Sequence, residues 1–223
     1  MTPQPELVIF DHDGVLVDSE SIAMELLADI ATRHGRPTTT PQAFDRYLGT
    51  SFDYVVDDLR NAGAVIDRDA LHESFHDDLF DGFRSRLQPI PGMPDLLTAL
   101  TSAGRAIAIA SSGTSERVTL GITSSGVHHF FSESAIITAD DVSRGKPFPD
   151  LFLAAAERSG VAPDRCIVIE DSAFGVEAAH RAGMPAIGLA HRTPAGNLAQ
   201  ADYVVQDVSE IWPILGLPVL QAT

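Results

Sequence analysis

Lysine is nearly absent from this chain: of 15 basic residues, 14 are arginine and one, Lys146, is lysine. A lone lysine in an arginine-rich chain reflects either chance or a site that needs a compact ammonium rather than a planar guanidinium. Positive charge of any kind is scarce, with 31 acidic residues giving a formal net charge of −16. Such a surface repels phosphate backbones, which argues against nucleic-acid binding. It also repels a phosphorylated small molecule unless a metal and a few basic groups reverse the field locally. Cysteine occurs once, at Cys166, so no internal disulfide forms, and a reducing cytoplasm is the expected setting. Cys166 adjoins the apolar run CIVIE and reads as a small buried hydrophobe. Apolar runs stay strand-sized, so no membrane-spanning helix is expected. The start, MTPQPE, has neither the basic nor the apolar region of an export signal.

What is present is globular. The chain has 223 residues, 44% hydrophobic, with 17 Gly and 14 Pro dispersed along it. Short apolar runs recur: ELVIFD (6–11), RAIAIASS (105–112), SAIITADD (134–141), RCIVIEDS (165–172) and PAIGLA (185–190). Each has little alternation, as in parallel strands covered on both faces. Helical stretches at 94–103, 149–159 and 173–182 lie between the later runs, with Pro near two starts and Gly just past all three ends. The alternation predicts an α/β fold, a doubly wound Rossmann-like parallel sheet. A further short strand, YVVQD, and a final helix around 208–215 complete the expected core.

The interval 19–87 breaks this rhythm. Ile22, Leu26, Leu27 and Ile30 share a helical face, as do Val55, Val56 and Leu59, then Leu71, Phe75, Leu79, Phe80 and Phe83. The expected organisation is an α/β core from residues 1–18 and 88–223, carrying an all-helical cap domain at 19–87.

In an open parallel sheet, ligands bind at the carboxyl ends of strands. Four expected strand ends carry chemistry: Asp11 and Asp13; Ser111; Lys146, shortly beyond the third strand; and Glu170 with Asp171. Any one of these suits a helix cap or a turn; four together point to a site. Two carboxylates two residues apart can share one hard cation. One can attack phosphorus while the other protonates the leaving oxygen. Gly14 lets the chain turn sharply. Alone, D-x-D-G also suits a calcium loop, but VLVDSE supplies an apolar run where further acidic ligands would be needed.

Taken with its flanks, IFDHDGVLVDSE resembles the first motif of the haloacid dehalogenase superfamily. Ser111 in IAIASSG, Lys146 in GKPFPD and Glu170-Asp171 in IEDS resemble its second, third and fourth motifs, in order. The insertion has the position of the family's type-1 cap, and the set is most similar to the β-phosphoglucomutase and phosphoglycolate-phosphatase branch. The resemblance implies a Mg²⁺-dependent phosphatase in which Asp11 is the nucleophile and Asp13 the acid/base. Mg²⁺ would be held by Asp11, the main-chain carbonyl of Asp13 and Asp171, with Glu170 adjacent. Ser111 and Lys146 would bind the phosphoryl oxygens, aided by backbone N–H groups near Gly14 and Ser112. Asp13 argues against dehalogenation, which needs no general acid. The phosphonatase branch needs a cap lysine, and this chain has none.

Two departures separate hydrolysis from the mutase alternative. The mutase's cap histidine falls on Ala23, and its sugar-phosphate arginine falls on Phe52. Residues Gly49, Thr50, Ser51 and Phe52 are still expected to face the substrate, with Phe44, Tyr47 and Tyr54 as candidates for an uncharged pocket. A non-catalytic protein on this fold would have lost a motif residue, and none is lost. His12 is expected to pack away from both aspartates. His128-His129 lack a third ligand nearby. Asp18, Ser19 and Glu20 are hinge, capping or substrate residues. The expected partner is a small phosphorylated metabolite, with no nucleic acid and no membrane, acted on by a monomer.

Overall fold

The computed structural model describes residues 4–218. Strand β1 (Leu7–Phe10) is followed by four helices, α1 (Ser19–Arg33), α2 (Thr40–Tyr47), α3 (Phe52–Asn61) and α4 (Arg68–Arg86). The chain continues through α5 (Met93–Ser102), β2 (Ala106–Ala110), α6 (Ser115–Ser124) and β3 (Ile136–Ile137). It ends with α7 (Asp150–Ser159), β4 (Cys166–Glu170), α8 (Ala173–Arg181), β5 (Ala186–Leu189), β6 (Tyr203–Val205) and the short α9 (Ile211–Ile214). It separates into two compact units, Met1–Val17 with Gln88–Thr223, and Asp18–Leu87.

In the α/β unit the strands form one sheet in the order β3-β2-β1-β4-β5-β6, with every pair parallel. The strand order reverses at β1, between β2 and β4, and in open parallel sheets such a switch point is where ligands bind, at the carboxyl ends of the strands. The strands are apolar on both faces because helices cover both. On one face Leu7, Ile9, Ala108, Ala110 and Val168 pack against Phe152 and Ala155 of α7 and Val176 and Ala179 of α8. Burying one such large apolar side chain contributes about 1.5–3 kcal/mol. Helix α7 stops at Gly160, whose φ of 66° is the left-handed ending that glycine allows.

Three details differ from the sequence reading. Helix α6 was not anticipated. The strand expected within 134–141 is only two residues long, because the Thr138 N–H and hydroxyl both bond the Asp141 carboxylate and turn the chain. The last helix is shortened to α9 after a single tight turn at Val208–Glu210.

The second unit is all helical. Its helices open on residues whose side chains accept main-chain N–H groups: Asp18, Thr39, Ser51 and Asp67. Met24, Leu27, Ile30, Ala43, Tyr47, Val55 and Leu59 form its core. Among the described residues, no helix is long and apolar enough to cross a membrane.

Candidate active site

The ladder between β1 and β4 runs one residue past β1, with the Asp11 N–H donating to Ile169 O at 3.0 Å. This sets Asp11 beside Glu170, the last residue of β4. Between them lies the buried Lys146 ammonium, which donates to Asp11 Oδ1 and, at 2.5 Å, to Glu170 Oε1. It stands 5.1 Å from the Phe152 ring centroid. The loop after Lys146 begins with a cis peptide bond to Pro147 and is tied to α8, since Arg181 Nη1 donates to Pro147 O at 3.0 Å.

Glu170 uses its second oxygen locally. Oε2 accepts from the Ser172 N–H at 2.8 Å and the Ser172 hydroxyl at 2.9 Å. Ser172 in turn caps α8 by accepting from the Gly175 N–H at 3.0 Å. Asp171 lies against the turn after β1: a Cβ at Gly14 would stand 2.2 Å from Asp171 Oδ2. Gly14 also has φ 74°, so conformation and space both exclude a side chain there.

Asp11, Glu170 and Asp171 each offer a carboxylate oxygen within 4.8 Å of the others, and all three are buried. Burial pushes the Asp11 carboxyl up. Lys146 opposes this and Glu170 adds to it, leaving the group at about 6. Burial would lower the Lys146 ammonium, but Asp11 and Glu170 outweigh it and raise it above its ordinary value. These oxygens form a hard-donor set suited to Mg²⁺.

Asp13 stands apart from that cluster. Arg117, in the first turn of α6, donates from Nε to Asp13 Oδ2 at 3.1 Å and from Nη2 to Asp13 Oδ1 at 2.9 Å. His12 Nδ1 is 3.4 Å from Asp13 Oδ2. Burial would raise the Asp13 carboxyl, but the charges of Arg117 and His12 override it and hold the group well below the ordinary carboxylate range. The Asp13 carboxylate, engaged there, is not one of the three carboxylates of that grouping. The expectation that His12 packs away from both aspartates is corrected. Strand β1 ends at Phe10, and residues 12–17 form a hydrogen-bonded turn, so strand alternation does not govern His12. The His12 ring is fully buried against α6, where a Cβ at Gly121 would meet Nε2 at 2.3 Å.

Ser111 follows β2, buried, and its hydroxyl accepts from the Gly113 N–H at 3.0 Å. Ser112 beside it is exposed. In the helical unit, Gly49 has φ 72° and Thr50 Oγ1 donates to Tyr47 O at 2.8 Å. Ser51 caps α3, and Phe52 packs on His72 and Phe75 with centroids 5.0 and 5.4 Å apart. Tyr47 is core, with its hydroxyl donating to Asp58 at 2.7 Å, whereas Tyr54 is exposed. Asp18 caps α1 by accepting from the Ser21 N–H. His128 and His129 are not part of any metal-suited grouping among the described residues.

The sequence reading missed Arg117. The available signal was Thr114 as a cap followed by Val118 and Ile122 one turn apart, which places a helix directly after the second strand. Its first turn then faces the site.

Residues 8–189 match the model of the haloacid dehalogenase-like hydrolases. The chain belongs to that family. It is 33% identical to validoxylamine A 7'-phosphate phosphatase of Streptomyces hygroscopicus subsp. limoneus, over 95% of this chain and 98% of that one. It is 30% identical to the phosphorylated carbohydrates phosphatase of Thermotoga maritima, over 83% and 86% of the two chains. Its fold is similar to the crystal structure of a HAD family hydrolase from Deinococcus radiodurans R1 with bound phosphate and sodium. That match has a TM-score of 0.83, with 31% identity and 96% of each chain covered. As a haloacid dehalogenase-like hydrolase with phosphatase relatives of nearly its own length, the chain is a phosphatase.

Proposed function

We propose that this phosphatase hydrolyses small phosphate monoesters of the sugar or polyol class, with Mg²⁺, through an aspartyl-phosphate on Asp11. The observation that carries this reading is the buried grouping of Asp11, Glu170 and Asp171 with Lys146 set between two of them. Asp11, Asp171 and the Asp13 carbonyl would hold the ion, with Glu170 adjacent. When bound, Mg²⁺ supplies charge neutralisation between the anionic ester and the anionic nucleophile.

An Asp11 carboxylate oxygen attacks phosphorus, and the ester P–O bond breaks as the Asp11 O–P bond forms. Asp13, ionised in the substrate-free protein, would take up a proton as the anionic ester binds beside it and give that proton to the departing alcohol oxygen. It then takes a proton from water, whose oxygen attacks phosphorus and releases the Asp11 carboxylate with inorganic phosphate. Lys146 and the Ser111 hydroxyl hold the phosphoryl oxygens as charge develops, with the N–H groups near Gly14 and Ser112 assisting. The substrate class is supported by the relatives named for validoxylamine A 7'-phosphate and for phosphorylated carbohydrates. Ala23 and Phe52, where the mutase has His and Arg, favour water over a sugar hydroxyl as acceptor. We take the enzyme to act on small molecules rather than nucleic acid, in keeping with its −16 charge, as a monomer in a reducing cytoplasm, in keeping with its single cysteine.

A panel of phosphate esters assayed with Mg²⁺ tests this, including β-glucose 1-phosphate with a bisphosphate primer. Phosphate release from sugar or polyol monophosphates is the expected result. Isomerised sugar phosphate without release would replace hydrolysis by mutation of the phosphate position. Asp11→Asn is expected to abolish turnover with the fold intact; substantial residual activity would remove Asp11 as nucleophile.

A further inference from the structure

Asp13 must do more than carry a proton: its carboxyl must face the leaving oxygen in one orientation. Its side chain turns about two torsions, and a freely turning carboxyl presents a proton in the useful direction only part of the time. Arg117 removes that freedom. Its Nε and Nη2 meet the two Asp13 oxygens at 3.1 and 2.9 Å, a planar fork that fixes position and rotation together.

The rest of α6 is built for this contact. Arg117 and Gly121 are four residues apart and so share one helix face. That face meets residues 12 and 13, with Arg117 on Asp13 and Gly121 against the His12 ring. Any side chain at 121 would begin 2.3 Å from His12 Nε2, so the absence of a Cβ sets how closely the helix approaches. Val118 and Ile122, on neighbouring positions, are buried.

We propose that Arg117 is the positioning residue of Asp13, acting on the proton given to the leaving alcohol and leaving the phosphoryl group to Lys146 and Ser111. This rests on the reading of Asp13 as the acid/base. The two can be separated through the leaving group. An alkyl alkoxide must be protonated as it departs, whereas nitrophenolate leaves unprotonated. Damage to the acid therefore lowers kcat/KM for an alkyl ester and spares an aryl ester. Damage to phosphate binding or to the fold lowers both.

The experiment compares kcat/KM for glycerol phosphate and p-nitrophenyl phosphate, with saturating Mg²⁺, across wild type, Arg117→Ala, Arg117→Lys and Asp13→Ala. Arg117→Ala is expected to lose about 10–100-fold on glycerol phosphate while changing little on the aryl ester. Arg117→Lys should stay impaired in the same selective way, since an ammonium cannot form the fork. Asp13→Ala should show the selective loss at about 10²–10⁴-fold. Equal loss on both esters, no loss, or full recovery with lysine would each overturn the role of Arg117 while Asp13→Ala remains selective. An unselective Asp13→Ala would instead remove the acid/base reading, and this inference with it. Arg117→Gln gives the same comparison if the alanine variant does not fold.

Discussion

Gly175 lies so close to Glu170 that a Cβ at position 175 would stand 1.8 Å from Glu170 Oε1. The contact explains a residue that local propensity disfavours, since glycine inside a helix costs about 1 kcal/mol relative to alanine. Gly175→Ala is therefore expected to reverse the usual sign. It should destabilise the protein by about 1–3 kcal/mol through overpacking and weaken Mg²⁺ binding by displacing Glu170. Gly145→Ala is the control, because nothing lies within 4 Å of its added Cβ. Thermal melts with and without Mg²⁺ check both. A Gly175→Ala protein as stable and as Mg²⁺-responsive as wild type would contradict the packing argument.

The same contact marks where the sequence stops being readable. The strands were legible because each is a short unbroken apolar run, and such runs alternating with helices point to a doubly wound parallel sheet without fixing its strand order. The candidate site residues were legible because they sit at the ends of those runs, except Lys146, which lies in the loop between β3 and α7. Arg117 was not, because SERVTLGITS is rich in Ser, Thr and Gly and presents only Val118 and Ile122 as apolar anchors. Its helix forms through burial of those two and the approach allowed by Gly121, which are tertiary effects. His12 was misjudged because strand alternation was extended two residues beyond the end of β1. Gly175 and Gly121 carry no signal of their own until the side chains they touch, Glu170 and His12, are placed beside them.

Lys146 separates two buried carboxylates, so its removal leaves like charges facing each other. Without metal, Lys146→Met is expected to cost about 3–5 kcal/mol, as for other broken buried pairs. Asp11 is raised to about 6 even with Lys146 present, so without it the group takes up a proton more readily. The deficit should accordingly shrink at about pH 5. Mg²⁺ should also reduce it, by supplying the missing positive charge. Urea denaturation in EDTA and in Mg²⁺ at both pH values measures each difference. A deficit unaffected by pH and metal would mean that Lys146 stabilises by packing alone.

Cys166 gives an independent measure of the core. Burial and the nearby Asp164 push its thiol up to about 11, and Sγ donates to Ala162 O at 3.3 Å. Since thiolate is the reactive form, iodoacetamide at about pH 8 should leave the native protein unlabelled. Unfolding in urea should allow one label per chain. Rapid labelling of the native protein would show that the start of β4 opens far more easily than its burial implies.

On the proposed reading, in which Asp11 holds the ion, metal binding and pH are coupled through its carboxyl. Its carboxyl is raised from 3.8 to about 6 in the metal-free protein, so the folded state favours the protonated form. The stability this group contributes is fully present below its ordinary value and is lost as pH rises through about 6. Mg²⁺ needs the ionised carboxylate and therefore competes with that proton. Below about pH 6 the affinity should fall roughly tenfold per pH unit from this group alone; above about pH 7 it should level off. Calorimetric titration in buffers of different ionisation enthalpy should detect proton release near pH 6 and almost none at pH 8. The Mg²⁺-induced rise in melting temperature should be small at pH 5 and full at pH 8. A rise as large at pH 5 as at pH 8 would mean that Asp11 is already ionised before metal arrives, and that Lys146 outweighs both burial and Glu170.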